Sequence, residues 1–210
     1  MRHKTNAMYR FIFILFLLLS LDSNAQSDTS FVKLSSIDNR FGYDMRYATS
    51  NNFLGEKVYT CSDCLLRKEV AMALVRANMF FLQKGYRIKL FDCYRPLDVQ
   101  KKMWKIMPDS RYVADPAKGS IHNRGGAVDI TLTDLNGREL DMGTDFDHFG
   151  EKAHHNFLDL PGNIIENREL LKSGMEQAGF HALSTEWWHY NFRTSDSYPV
   201  SNFKVQCTDQ

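Results

Sequence analysis

One stretch of the chain, residues 120–133, constrains the fold more than any other: SIHNRGGAVDITLT. Its second half, AVDITLT, has the apolar and β-branched composition of a buried strand. Asp129 lies within that strand, where a carboxylate is costly unless it is paired or bound to a metal. Residues seven apart on an unbroken strand face opposite sides of a sheet, so His122 and Asp129 can meet only if the chain turns between them. Gly125 and Gly126 permit that turn, because glycine accepts backbone conformations that other residues avoid.

Helical and strand patterns are mixed along the rest of the chain. Apolar residues at three- and four-residue spacing predict an amphipathic helix from Leu65 to Gly85. Two further segments, LDVQKKMWKIM and NRELLKSGMEQAGF, are helical in pattern, and the second is expected to end at Gly179. Strands are expected in FVKLSSID, FGYDMRYAT, YRIKLFDCY and EWWHYNF, with LNGREL as a turn between two strands. Irregular alternation of this kind indicates an α+β fold with a central antiparallel sheet flanked by helices.

The amino terminus has the pattern of a secretory signal peptide. A basic segment, MRHKTNAMYR, is followed by the apolar run FIFILFLLLSL and by small residues at Ser23 and Ala25. The run is shorter than the ~18–20 residues of a membrane span, although an uncleaved anchor is the alternative. We therefore expect residues 1–25 to be removed and residues 26–210 to form a single exported domain, periplasmic or secreted, without stable membrane insertion.

Charge and cysteine content narrow the functional class. The 210-residue chain has a formal charge of +1 and no long block of one sign, so no nucleic-acid partner is expected. Its four cysteines, Cys61, Cys64, Cys93 and Cys207, all follow the predicted signal peptide. An even number in an oxidising compartment favours two disulfides, with the pairing left open. The CSDC spacing also fits a redox pair or half a zinc site, but no second CxxC accompanies it.

A catalytic zinc ion takes three protein ligands and keeps one position open. His122 and Asp129 supply two candidates, and His189 in EWWHY is the candidate from another element. Glu186 precedes His189 by three residues and is a candidate to take a proton from the attacking water. Because the two would face opposite sides of one strand, we expect that strand to begin late or to carry a bulge. The remaining histidines are interpreted as structural or surface residues.

Arg95, in DCYRP, ends a predicted strand just before a proline. It can be a simple ion-pair partner of Asp92 or Asp98. The functional interpretation is an electrophile that stabilises the oxyanion formed during peptide hydrolysis.

Five motifs, taken together and in order, carry a resemblance to a known family: YATSNNF, DCYRP, SIHNRGGAVDITL, MGTDFD and EWWHY. The chain resembles the D-alanyl-D-alanine dipeptidases, a family of zinc peptidases, from about YDMRYATSNNFLG to EWWHYNF. The pattern SxHxxGxAxD is shared more broadly with D,D-carboxypeptidases and the Hedgehog signalling domain. EWWHY and MGTDFD are more similar to the dipeptidase branch. The implied fold is the zinc D,D-peptidase/Hedgehog-like fold.

The resemblance implies a complete catalytic set. One zinc ion would be held by His122, Asp129 and His189, with Glu186 as general base and Arg95 as transition-state stabiliser.

It also implies a substrate-binding set. Asp147, the last residue of MGTDFD, would bind the free ammonium group of the substrate. Tyr47 and Ser120 would line the small pocket, and Trp187 and Trp188 would shape its walls.

The implied function is hydrolysis of the D-Ala-D-Ala dipeptide outside the cytoplasm, in cell-wall peptide turnover or scavenging. One alternative is a peptidoglycan D,D-carboxypeptidase or endopeptidase of the same fold. Another is a Hedgehog-like module that binds zinc without catalysis. The sequence leaves open the oligomeric state, the range of dipeptides accepted and the physiological role.

Overall fold

Two β-sheets and four α-helices make up residues 30–207, which are the residues described by this computed structural model. The predicted signal peptide, 1–25, lies outside them. The strands are β1 (Phe31–Lys33), β2 (Gly42–Tyr43), β3 (Leu65–Arg67), β4 (Tyr86–Asp92), β5 (Ala127–Asp134), β6 (Phe180–Ala182) and β7 (His189–Phe192). The helices are α1 (Lys68–Leu82), α2 (Leu97–Ile106), α3 (Ile121–Arg124) and α4 (Gly162–Gln177). None of these helices is long and apolar enough to cross a membrane.

The larger sheet has five strands in the order β2-β4-β5-β7-β6. The pairs β4–β5, β5–β7 and β6–β7 are antiparallel, whereas the short edge strand β2 runs parallel to β4. The α+β class is therefore confirmed, and the predicted antiparallel sheet is correct except at this edge. A smaller sheet pairs β1 with β3 in antiparallel fashion.

The register of the larger sheet brings polar residues together at one end of its central strands. Asp129 on β5 lies opposite His189 on β7. On its other side Asp129 lies opposite Asp92, after a shift of register between Leu90 and Asp92 in β4. An irregularity of this kind redirects side chains locally. Three ionisable side chains thus come from neighbouring strands at adjacent positions.

Helix α1 begins three residues later than its apolar spacing predicts. Leu65–Arg67 pairs with β1 instead of continuing the helix, and Leu66 is fully buried there. Both strand and helix bury apolar side chains, so the spacing alone could not separate them. Helix α1 ends at Leu82, before Gly85, whose φ of 83° breaks the helix.

Helix α4 begins about one turn earlier than predicted and ends just before Gly179. It packs on α1 at Gly174, where a Cβ atom would overlap the ring of Phe81. The segment LNGREL forms the predicted turn, but the strand expected after it is reduced to a single bridge between Thr133 and Glu139.

The Gly-Gly step forms the predicted turn, and each glycine has a separate function in it. Helix α3 begins with a capping box between Ser120 and Asn123 and ends at Gly125, which has a left-handed φ of 72°. Gly126 is required for space, since a Cβ atom there would lie 2.5 Å from Ser195 Cβ and 3.0 Å from its Cα. The chain therefore reverses direction between His122 and β5 while packed closely on the 3₁₀ turn Ser195–Ser197.

The four cysteines form two disulfides, as predicted. Cys61 is bonded to Cys207, and Cys64 to Cys93. CSDC is therefore not a redox pair, because its two cysteines bond elsewhere. The second bridge fastens the residue before β3 to the residue after β4, which is next to Asp92 in the chain.

Because a Cβ atom at position 126 would overlap Ser195, we predict that Gly126→Ala destabilises the protein by about 1–3 kcal/mol, the usual cost of overpacking. The free energy of unfolding in urea measures this effect. Gly162→Ala is the matched control, because no atom lies within 4 Å of a Cβ atom built at that position. Equal stabilities of the two variants would contradict the assigned contact with Ser195.

Candidate active site

Three side chains from three elements converge at the end of the central strands. His122 comes from α3, Asp129 from β5, and His189 is the first residue of β7. His122 Nε2 lies 3.3 Å from Asp129 Oδ2, and His189 Nδ1 lies 2.9 Å from Asp129 Oδ1. The two ring nitrogens are themselves 3.3 Å apart. All three residues are buried, and one donor atom from each lies within 4.8 Å of the others.

The hydrogen bonds of the two imidazoles leave one nitrogen of each ring available to a metal. His122 Nδ1 donates to the carbonyl oxygen of Cys93 at 2.7 Å, which leaves Nε2 as the free donor atom. His189 Nε2 donates to Asn191 Oδ1 at 2.9 Å, which leaves Nδ1. Metal-binding histidines characteristically use the second nitrogen in this way. Two imidazoles and one carboxylate also match a three-ligand catalytic zinc site, so the residues fit the ion that the sequence implied.

The electrostatics of the cluster favour a bound cation. Burial alone would raise the pKa of Asp129. The charges and hydrogen bonds of His122 and His189 outweigh burial and hold this pKa far below its usual range. Burial lowers the pKa of His189, yet the hydrogen bond and charge of Asp129 raise it to about 9. In the metal-free protein a proton on His189 thus neutralises Asp129, and a metal ion would take over that role.

Glu186 lies in the turn before β7, on the rim of this cluster. Because β7 begins only at His189, the late start predicted for this strand is confirmed. Glu186 Oε2 lies 3.8 Å from His189 Nδ1. Burial raises the pKa of Glu186 above its usual range; the charge of His189 opposes this, and that of Asp129 adds to it. A carboxyl group tuned upward in this way is suited to accepting and returning a proton.

Arg95 is 7% exposed and held in a fixed position. Its Nη2 donates to Asp92 Oδ2 at 2.7 Å and its Nη1 donates to Gln100 Oε1 at 2.9 Å. The ion pair with Asp92 foreseen as the simple alternative is therefore present, whereas Asp98 bonds elsewhere, to Asn202. Arg95 Nε has no hydrogen-bond partner among residues 30–207. The guanidinium lines the same cavity as Glu186, so the pairing and a catalytic role are compatible.

The cluster opens into a cavity of about 200 Å³. This is smaller than the ~300–1,000 Å³ typical of pockets for drug-sized ligands. Of the predicted binding residues, Tyr47, Ser120, Asp147 and Trp188 line it. Trp187 does not line it: this residue lines a neighbouring cavity, and its indole nitrogen donates to Thr144 at 2.7 Å.

Asp147 is the one non-glycine residue with a positive φ, 60°, among residues 30–207. Its two carboxyl oxygens lie 3.1 and 3.0 Å from the hydroxyl of Tyr47, which is the donor. Burial raises the pKa of Asp147 well above its usual range, and the charge of Asp129 acts in the same direction. Asp147 forms no ion pair with any of the described residues, so a cationic ligand would supply the missing counter-charge.

Several residues that complete the site were not identified from the sequence. Asn191 lies two residues after His189 and so on the same face of β7, a signal that strand periodicity could have provided. Gln100, which lies on α2 after Pro96, accepts a hydrogen bond from Arg95. Tyr112 and Phe149 line the cavity from loops. No periodic pattern in the sequence marks these three positions.

The chain is similar in sequence to known proteins over most of its length. The family model described as D-ala-D-ala dipeptidase matches residues 27–207. The D-alanyl-D-alanine dipeptidase of Escherichia coli (strain K12) is 35% identical over 179 residues, covering 85% of this chain and 93% of that protein. The D-alanyl-D-alanine dipeptidase of Enterococcus faecium is 33% identical over 197 residues, covering 84% of this chain and 97% of that protein.

Among solved structures, the vancomycin resistance D,D-pentapeptidase VanY in complex with Zn(II) superposes with a TM-score of 0.42 at 16% identity, covering 66% of this chain and 78% of that one. The family match and the two relatives, each over most of the chain, establish where it belongs. The chain is a member of the D-alanyl-D-alanine dipeptidase family of zinc metallopeptidases.

Proposed function

We propose that this protein hydrolyses the D-Ala-D-Ala dipeptide to two molecules of D-alanine, using one zinc ion held by His122, Asp129 and His189. The observation that carries the proposal is the meeting of three kinds of group in one small cavity: a buried His/Asp/His cluster, a proton-accepting Glu186, and an unpaired Asp147. Membership of the family supports the same reaction.

Each protein group has a defined part in the reaction. When bound, zinc supplies a Lewis acid that acidifies water and polarises a carbonyl oxygen. Glu186 accepts a proton from the attacking water while the water oxygen forms a bond to the peptide carbonyl carbon. Glu186 gives a proton to the amide nitrogen as the carbon–nitrogen bond breaks, so that both products leave as free amino acids.

Arg95 stabilises the negative charge that develops on the carbonyl oxygen. Its ion pair with Asp92 and its bond to Gln100 fix the guanidinium in advance, so little reorganisation is needed in the transition state.

Asp147 selects a free dipeptide. A substrate ammonium group would give its carboxylate the counter-ion that residues 30–207 do not provide, and Tyr47 orients that carboxylate. A blocked or extended amino terminus has no ammonium group at this place. This preference distinguishes the proposed dipeptidase from a carboxypeptidase that trims longer cell-wall peptides.

Glu186→Gln tests the proton-transfer role. Because glutamine has nearly the same shape but cannot accept the proton, we expect kcat for D-Ala-D-Ala to fall by about 100- to 10,000-fold. Zinc content, measured by metal analysis, is expected to stay at one ion per chain. Glu166→Gln, on the exposed face of α4, is the control. A kcat close to that of the unaltered protein would remove Glu186 from this role.

Asp147→Asn tests recognition of the ammonium group. Asparagine tolerates a positive φ, so the local backbone is retained while the charge is lost. We expect KM for D-Ala-D-Ala to rise about 10- to 100-fold, the range for a lost charged hydrogen bond. Asp145→Asn, two residues away and exposed, is the control. Efficient cleavage of N-acetyl-D-Ala-D-Ala by the unaltered enzyme would contradict the assignment.

We further propose that the enzyme works outside the cytoplasm, in cell-wall peptide turnover or dipeptide scavenging. The signal-peptide pattern of residues 1–25 supports export, and two disulfides are typical of an oxidising compartment. Mass spectrometry of the protein from fractionated cells should detect a chain that begins near Gln26 outside the cytoplasm. An intact chain confined to the cytoplasm would refute export.

A further inference from the structure

The segment that carries Asp147 is a long loop whose two ends meet at one side chain. We name residues 142–154 the Asp147 loop; its regular structure is limited to the 3₁₀ turn Glu151–Ala153. Arg168, on α4, donates from Nε to the carbonyl oxygen of Met142 at 2.7 Å. At the other end of the loop it donates from Nη2 to Lys152 at 2.8 Å and from Nη1 to His154 at 3.2 Å. One guanidinium therefore closes the loop, in the manner of an Ω-loop whose ends lie close together.

Arg168 is a buried charged residue whose three guanidinium nitrogens donate to the Asp147 loop. Arg168 is 5% exposed and forms no ion pair among residues 30–207. A buried charge is costly unless it is hydrogen-bonded, and each of the three guanidinium nitrogens donates to a carbonyl group of the loop. Lysine cannot reproduce this arrangement, because only the planar guanidinium presents several donors in a fixed fork.

Two neighbouring contacts hold the same loop against the body of the protein. Gly143 has a φ of 82°, and a Cβ atom there would lie 3.0 Å from Ile164 on α4. On the other side, Trp187 donates from its ring nitrogen to Thr144 and from its backbone to Ala153, at 2.7 and 3.0 Å. The loop is thus fixed between α4 and the residue that follows Glu186.

Asp147 depends on this support because of its own conformation. A non-glycine residue with a φ of 60° is held there by its surroundings rather than by its own preference. The carboxylate itself contacts the hydroxyl of Tyr47, and the preceding residue, Phe146, packs in the hydrophobic core. Arg168 adds the constraint at the two ends of the loop.

We propose that Arg168 is a positioning residue for substrate recognition: by closing the ends of the Asp147 loop it holds the Asp147 carboxylate in the catalytic cavity. The proposal rests on the proposed function for its catalytic consequence, but its structural part does not.

Arg168→Lys keeps the positive charge and removes the three-way bond. We expect KM for D-Ala-D-Ala to rise about tenfold, kcat to change less than about threefold, and zinc to stay at one ion per chain. The decisive measurement is the same substitution in an Asp147→Asn background, where it should change KM by less than about twofold because there is no carboxylate left to position. Equal losses of kcat/KM in both backgrounds would overturn the proposal.

Hydrogen–deuterium exchange without substrate tests the loop itself. Amides of residues 143–149 should exchange about tenfold faster in Arg168→Lys than in the unaltered protein, while β5 is unchanged. Arg76→Lys, on the exposed face of α1, is the control. Gly143→Ala, which pushes the loop away from α4 while keeping the Arg168 guanidinium, should have the same two effects if Arg168→Lys does not fold.

The two measurements separate the two proposals. Unchanged exchange in both variants would overturn the role of Arg168, whatever the enzyme acts on. Faster exchange in a protein whose unaltered form does not cleave D-Ala-D-Ala would leave the loop assignment intact and refute the proposed substrate.

Discussion

The pair formed by Asp129 and His189 across β5 and β7 is the interaction on which the rest of the site depends. A carboxylate in the middle of a buried strand needs compensation, and the register places an imidazole directly opposite it. His122, on α3, places a second imidazole beside the Asp129 carboxylate. We propose that these three groups are the ligands of one zinc ion. The same burial that makes an ionised carboxylate costly at this place favours a bound cation.

The surrounding structure serves to hold this cluster in position. Backbone and amide oxygens of Cys93 and Asn191 fix the tautomers of the two histidines. Asp92, on the next strand, is fully buried and holds Arg95 at the edge of the cavity. The Cys64–Cys93 bridge fastens the end of β4 at the point where the carbonyl of Cys93 is needed. The two histidines and Arg95 are thus each fixed by a second interaction, made with the backbone or with a polar side chain.

The sequence predicted the parts of the site whose physical constraints are local. A turn was required between His122 and Asp129, and glycine is what permits it. The late start of β7 was predicted because Glu186 and His189, three residues apart, would face opposite sides of a continuous strand. The switch from strand to helix at Leu65–Arg67 could not be predicted, because both states bury the same apolar residues. An aromatic pair gives no sign of which ring faces the cavity, and here Trp188 lines it while Trp187 lines a neighbouring one. The closure of the Asp147 loop by Arg168 joins residues far apart in sequence through backbone carbonyl groups, which have no sequence signature.

If one zinc ion at His122, Asp129 and His189 makes this chain a dipeptidase, as we propose, then a zinc titration of chelated protein should restore its activity. D-Ala-D-Ala hydrolysis should be absent after chelation and should rise with added zinc to a plateau at one ion per chain. In His189→Ala both tight zinc binding and hydrolysis should be lost. Full hydrolysis by the chelated protein would contradict the account, as would a stoichiometric zinc complex that leaves the dipeptide uncleaved.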